Sequence, residues 1–216
     1  MVLPSEISRG QTKDRTSYYD GYLYEKIVAR QQIAMNKVLT KYVSDENSSV
    51  LEVGCGTGML SFMLAKKCNY VVGVDLSSKM IGYANKKKEA ANYSHVEFIH
   101  TDASKMSEFI NRTFDYATMV MFLHETEEEL REQALREALK LAKKIIICDF
   151  SSPVPKGMIS KLLVAQEFVA GVRHFRNFRN WMDQGGIDGF LKKINANIES
   201  EREWKNKVGK IVTISK

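Results

Sequence analysis

The chain has 216 residues, 44% of them hydrophobic, and 32 Lys and Arg against 26 Asp and Glu give a net charge of +6. That length suits one domain, or one domain with a small cover, and the apolar content is enough for a core, which excludes a chain disordered throughout. No run approaches the roughly 18 uninterrupted apolar residues of a membrane-spanning helix, and Met1–Arg15 lacks the apolar stretch of a secretory signal, so a cytoplasmic protein without a membrane span is expected.

The positive surplus sits in the flanks, because residues 46–150 carry 13 basic and 15 acidic side chains. A nucleic-acid binder concentrates a stronger stripe than this, so nucleic acid is a disfavoured partner. Cys55, Cys68 and Cys148 form no C-x-x-C pair, and His95, His100, His124 and His174 form no H-E-x-x-H. Buried thiols and no metal site are expected.

Residues 1–45 read as an N-terminal helical cap, with a helical pattern from about Tyr18 to Val43. Residues 46–150 read as a core in which strands and helices alternate. Ser49 to Val53 is a strand, Gly58 to Lys67 a helix, and Tyr70 to Asp75 a second strand. A helix from about Ser78, read as its N-cap, runs to Ala91, followed by strands at His95 to His100 and Phe114 to Met121. The last of these is apolar almost throughout, as in a strand buried on both faces. Thr126 and Glu129 have capping-box spacing at the head of a helix that places Lys143 and Lys144 in its last turn, and Lys144 to Phe150 is a fifth strand.

Residues 151–197 open on the break Ser151-Ser152-Pro153-Val154-Pro155 and continue as a helical lid segment. Ile198 to Lys205 and Gly209 to Ser215 then form a terminal antiparallel hairpin over residues 198–216. The expected fold is α/β: a Rossmann-like, doubly wound, mostly parallel seven-stranded sheet closed by that hairpin, with ligands at the carboxyl ends of its strands.

The most informative stretch is Glu52-Val53-Gly54-Cys55-Gly56-Thr57-Gly58, where a strand ends in alternating glycines and turns straight into a helix. Glycine permits positive φ and close approach of a ligand to the backbone, and the helix start offers unpaired N–H groups. A dinucleotide fingerprint would need glycine where Met59 stands, and a phosphate-binding P-loop would need a Lys after Gly58. Asp75 ends the second strand and can accept from both hydroxyls of a ribose, Asp102 follows the third, and Glu52 precedes the glycines, where it can orient the loop or receive an ammonium group.

With these residues the sequence resembles class I S-adenosylmethionine-dependent methyltransferases, over about Val50 to Phe150, and most resembles the small-molecule ubiquinone/menaquinone-biosynthesis type. Glu52 to Gly58 is similar to the family's first motif, Val74-Asp75-Leu76-Ser77 with Met80 to its second, Asp102-Ala103 to its third, and Phe114-Asp115 with the strand to Met121 to its fourth. The resemblance implies S-adenosylmethionine as cofactor and S-adenosylhomocysteine as product. It implies Gly54, Gly56 and Gly58, with Cys55, around the methionine end, Asp75 and Leu76 near the ribose, Asp102 and Ala103 near the adenine, and Met121 bordering the methionine moiety.

The donor's sulfonium is already reactive, so the protein's tasks are alignment and exclusion of water, and a base is needed only if the acceptor must lose a proton. His124, just past the fourth strand, is the base candidate; its bland alternative is a solvent-facing residue, and Glu125, Glu127 and Glu128 read as charges complementing the helix dipole. Phe168, Phe175, Phe178, Trp181 and Phe190 interleave with Arg173, His174, Arg176 and Arg179, which reads either as an apolar acceptor pocket with a cationic edge, led by His174 and Arg176, or as an ordinary packed helix face. Tyr18, Tyr19 and Tyr22 either close over the cofactor or pack. The leading expectation is methyl transfer to a small, partly hydrophobic acceptor by a monomer or homodimer. The alternatives are an RNA or protein methyltransferase, and a non-catalytic protein binding S-adenosylmethionine or a nicotinamide cofactor.

Overall fold

A computed structural model describes residues 30–204 and 207–216. Tyr18, Tyr19 and Tyr22 lie outside the described residues, and of the expected N-terminal helical pattern the structure describes α1 (Arg30–Leu39). The core then runs β1 (Ser49–Val53), α2 (Met59–Leu64), β2 (Tyr70–Asp75), α3 (Ser78–Ala91), β3 (Val96–His100), a 3-10 turn at Ala103–Lys105, α4 (Met106–Phe109), β4 (Phe114–Val120), α5 (Glu128–Leu141) and β5 (Ala142–Phe150). Helices α6 (Met158–Val169), α7 (Val172–Asp183) and α8 (Gly186–Lys193) follow, and β6 (Asn197–Trp204) and β7 (Gly209–Ser215) end the chain.

The seven strands form one sheet in the order β3-β2-β1-β4-β5-β7-β6. The first five are parallel, whereas β7 runs antiparallel to both β5 and β6. Strand order reverses between β1 and β4, so their carboxyl ends flank the crevice where open α/β sheets bind ligands. The period of two decides which residues fill which layer. Leu51, Val53, Ala117, Met119, Ile145 and Ile147 pack with α5, α7 and α8, while Val50, Ile146 and Cys148 pack on the opposite face with α1, α2 and α3. Cys55, Cys68 and Cys148 are free, buried thiols.

Three local expectations are corrected. The cap of α3 is Ser77, not Ser78, and its Oγ accepts from the Met80 N–H at 3.4 Å. Thr126 and Glu129 make no capping box: Thr126 Oγ1 donates to the Phe122 carbonyl at 2.7 Å, tightening the loop after β4, and the helix starts later with Glu127 at its cap. Lys143 and Lys144 are not in a helical last turn. Ala142 already pairs with Phe114, so the chain passes directly from helix to strand, and the lysines meet Asp115 and Glu199 at 2.8 and 2.6 Å.

One buried cation joins the α6–α8 segment to the sheet. Arg131 Nε donates to the Leu123 and Thr126 carbonyls at 2.9 and 3.1 Å, and its guanidinium reaches Asn180 Oδ1 at 2.7 Å and the Asn177 carbonyl at 3.0 Å. It also lies 5.1 Å from the Trp181 ring centroid, and the Trp181 indole donates to the Phe150 carbonyl at 3.0 Å. These bonds fix α7 against the loop that follows β4.

The glycine loop shows two different needs for glycine. Gly54 and Gly56 both have positive φ, +74° and +52°, but a Cβ on Gly54 would stand 2.5 Å from Phe122 Cδ2 whereas one on Gly56 meets nothing within 4 Å. Gly56→Ala is therefore expected to lose about 1–2 kcal/mol for the left-handed backbone alone, and Gly54→Ala to lose about 1–3 kcal/mol more for the clash, read as the difference between their urea unfolding midpoints.

Candidate active site

Two adjoining cavities open at the carboxyl ends of β1, β2 and β4 and share Gly54, Asp75 and Glu125. One is lined by Leu76, Thr101, Asp102, Ala103 and Phe122, among others. The other is lined by Glu52, Cys55, Gly56, Met80, Met121, His124, Glu167 and His174, among others.

The loop between them is held by its own backbone and by one carboxylate. The Gly54 and Cys55 amides both donate to the Val74 carbonyl at 2.9 Å. Asp75 accepts from the Gly56 amide on Oδ2 and from the Ser77 amide on Oδ1, each at 2.8 Å. A carboxylate offers about four lone-pair sites, so both oxygens retain capacity for a ligand hydroxyl. Asp102 caps the following turn through Oδ1, which accepts from Ser104 N and Oγ at 2.8 Å, leaving Oδ2 outside that turn's bonding. Met121, just past β4, has φ +52°, a left-handed conformation uncommon for a residue with a side chain, with its amide donating to the Cys148 carbonyl at 2.8 Å.

Glu52 lies beneath the loop, buried, and accepts a short hydrogen bond from Ser61 Oγ. Burial pushes its carboxyl up to about 8 from an ordinary 4.5. The Cys55 thiol is pushed up as well, by burial and by the carboxylates of Asp75 and Glu52, so it is no nucleophile.

The far end of the second cavity is a buried polar cluster. His124 Nδ1 stands 2.8 Å from Asp149 Oδ1, and the other Asp149 oxygen accepts from the Leu123 and His124 amides at 2.9 and 3.3 Å. His124 Nε2 faces Glu167 Oε2 at 3.7 Å, and His174 Nε2 lies 2.5 Å from the same oxygen. His174 Nδ1 faces Glu125 Oε2 at 3.4 Å. Burial works against the charged form of His124, but Asp149, then Glu167 and Glu125, outweigh it and raise its pKa. Burial likewise opposes the charged form of His174, and its hydrogen bonds to Glu125 and Glu167 raise it to about 9.

Residues 50–144 match the family described as the methyltransferase domain. The glycine loop, Asp75, Asp102, Met121 and His124 all fall within that stretch. Over 107 residues, 48% of this chain and 42% of the relative, the sequence is 33% identical to a demethylmenaquinone methyltransferase of Clavibacter sepedonicus. Over 160 residues, 70% of this chain and 54% of the relative, it is 31% identical to a malonyl-[acyl-carrier protein] O-methyltransferase of Priestia megaterium. The chain thus spans about half the length of these curated relatives. The fold is similar to that of the magnesium protoporphyrin IX methyltransferase of Synechocystis, solved with bound S-adenosylhomocysteine, with a TM-score of 0.60, 20% identity, and coverage of 87% of this chain and 82% of that one.

Within the matched residues the structure gathers Glu52, Gly54, Cys55, Gly56, Asp75, Leu76, Met80, Asp102, Ala103, Met121 and His124 around the paired cavities, and α7 brings His174 to them. Gly58 does not line either cavity. It starts α2 at φ +76°, and a Cβ there would stand 2.5 Å from Phe98 Cζ, so the glycine serves close packing. Arg176 is not at the site: its side chain is exposed, because the turn of α7 that carries His174, Asn177, Phe178 and Trp181 inward carries Arg176 and Arg179 outward, while Arg173, exposed as well, lines the first cavity and meets Glu127 at 2.8 Å. Phe178, Trp181 and Phe190 are core and follow the packing reading, whereas Phe168 is exposed. His124 is buried rather than solvent-facing, and Glu125 turns to His174 instead of serving the helix dipole. Tyr19 and Tyr22 lie outside the described residues.

Two site residues escaped the sequence reading. Asp149 ends an apolar strand as Asp75 does, a signal open to the same logic. Glu167 is a lone acid in the apolar run of α6, where sequence offers only that contrast.

Proposed function

We propose that the chain is an S-adenosylmethionine-dependent methyltransferase acting on a small, partly apolar acceptor at carbon, oxygen or nitrogen. The observation that carries this reading is a cavity pair with a glycine cradle and two strand-end carboxylates on one side and a buried histidine–carboxylate cluster on the other. The cofactor fits what is present: Gly56 faces open space where a Cβ would project, and Asp75 and Asp102 supply acceptors at successive strand ends. The cofactor, when bound, supplies an electrophilic methyl group on sulfur.

The chain's own residues then position and deprotonate. Asp75 binds the ribose and locks the loop, Met121 borders the methyl-donating end, and the segment 151–197 covers the acceptor and keeps water out. His124, oriented by Asp149, takes the acceptor's proton on Nε2 as its lone pair attacks. A partly apolar acceptor is supported by the quinone-type name of one relative, the demethylmenaquinone methyltransferase.

Calorimetric titration with S-adenosylhomocysteine and, separately, with NAD tests the reading. Micromolar binding of the former alone supports it, and methyl transfer across a panel of phenols, amines and carboxylic acids then names the acceptor class. Binding of NAD alone would overturn it in favour of a variant dinucleotide site.

Glu52 gives a second check. The unfolded chain releases the Glu52 proton near 4.5 while the fold keeps it to about 8, so the stability this proton contributes falls as pH climbs through that window. Glu52→Gln is expected to flatten that decline in urea unfolding measured from pH 5 to 8.5. If the donor's ammonium approaches Glu52, binding favours the carboxylate and releases a proton. Affinity for S-adenosylhomocysteine should then rise with pH up to about 8, and not do so in Glu52→Gln.

A further inference from the structure

We propose that His124, Glu167 and His174 form a binding site for a divalent transition-metal cation of the zinc or iron(II) kind, a resident ion at the acceptor end of the cavity. The three groups come from the loop after β4, from α6 and from α7, and their donor atoms all lie within 4.8 Å of one another. Both histidines present Nε2 to the same Glu167 oxygen, at 3.7 and 2.5 Å. Both also hold a carboxylate behind the other ring nitrogen, Asp149 for His124 at 2.8 Å and Glu125 for His174 at 3.4 Å. A carboxylate behind each imidazole, fixing its tautomer and orientation, is the outer-shell pattern of metal-bound histidine.

The donor set of two imidazoles and one carboxylate selects zinc, iron or cobalt over magnesium or calcium.

Bonds of about 2.0–2.1 Å at tetrahedral angles need donors about 3.3 Å apart. The 3.7 Å spacing is near that value, and the 2.5 Å hydrogen bond between His174 and Glu167 opens when the cation displaces its proton. Three protein ligands leave a coordination position for an oxygen or nitrogen of the acceptor, which makes the acceptor one that binds metal. This last point rests on the proposed methyltransferase reading, and with the cation in place His124 is a ligand rather than a base.

The test uses the full, tag-free chain, stripped with chelator. Titrating zinc chloride by calorimetry should show one site with a micromolar or tighter Kd, magnesium chloride should show none, and cobalt(II) should give the intense visible absorption of a four- or five-coordinate ion. His174→Gln and Glu167→Gln should each weaken zinc binding by on the order of 100-fold, and Glu125→Gln by about 10-fold. S-adenosylhomocysteine is titrated into every variant as a check on folding and on the cofactor site. Zinc weaker than millimolar in protein that binds S-adenosylhomocysteine overturns the proposal, as does zinc binding unchanged in both His174→Gln and Glu167→Gln. Zinc bound as expected by protein that does not take S-adenosylhomocysteine upholds the cation site and removes the methyltransferase reading instead.

Discussion

Asp75→Ala will bind S-adenosylhomocysteine at least about 100-fold more weakly than the unaltered chain, because two hydrogen bonds to a charged acceptor are each worth about 1.5–3 kcal/mol. The expectation has two separable parts. In the proposed reading the carboxylate takes the ribose hydroxyls, and it also holds the loop by accepting from the Gly56 and Ser77 amides. Asp75→Asn divides them: its side-chain oxygen can keep one backbone bond, but it carries no charge and cannot accept at both positions. Calorimetry on the pair should place Asp75→Asn between the unaltered chain and Asp75→Ala. Equal affinities in all three proteins would remove Asp75 from the binding site and leave it as a loop brace.

Arg131→Met will lower stability by roughly 3 kcal/mol or more, since buried acceptors left without a donor cost about 1–3 kcal/mol each. The Leu123, Thr126 and Asn177 carbonyls and Asn180 Oδ1 all accept from this one guanidinium, which is almost wholly buried. Methionine approximates its length and fills the space, so what is removed is mainly the donor set. Arg176→Met, on the exposed face of α7, should change stability by no more than about 0.5 kcal/mol. Urea midpoints compare the two, and hydrogen exchange in α7 should quicken only in Arg131→Met. A matching loss in both would mean that α7 is held by its aromatic face alone.

The parallel core was legible because each of its signals is local. Strand residues alternate between two buried layers, and the glycine loop lies within one short segment. Leu51 and Val53 announce one face of β1 and Val50 the other without knowledge of the partners. The cavity lined by Gly54, Asp75 and Asp102 was legible for the same reason, since each stands at the end of a strand or just past it. The histidine–carboxylate cluster beside it is made by docking. Glu167 and His174 lie on separate helices, and only the turn between α6 and α7 brings both to His124. Arg176 was misplaced because a basic residue among aromatics looks alike on either face until the register is tied to Phe178 and Trp181. The capping box failed because Thr126 found the Phe122 carbonyl nearer than the helix start, a competition that spacing does not reveal.

Strand β7 enters the sheet between β5 and β6, pairing Phe150 with Gly209 and Lys144 with Ser215. As the chain emerges during synthesis, β5 has one edge that nothing yet covers, and it bears the run Ile145-Ile146-Ile147. An open, strongly apolar strand edge is a template for pairing with other chains. Once β7 arrives, the exposed border passes to β6, whose Glu199, Glu201, Arg202 and Glu203 discourage such pairing. The aggregation hazard at this edge therefore belongs to forms in which β7 has not yet paired, and slowing translation over β6 and β7 should cost more soluble product than slowing it in the glycine loop.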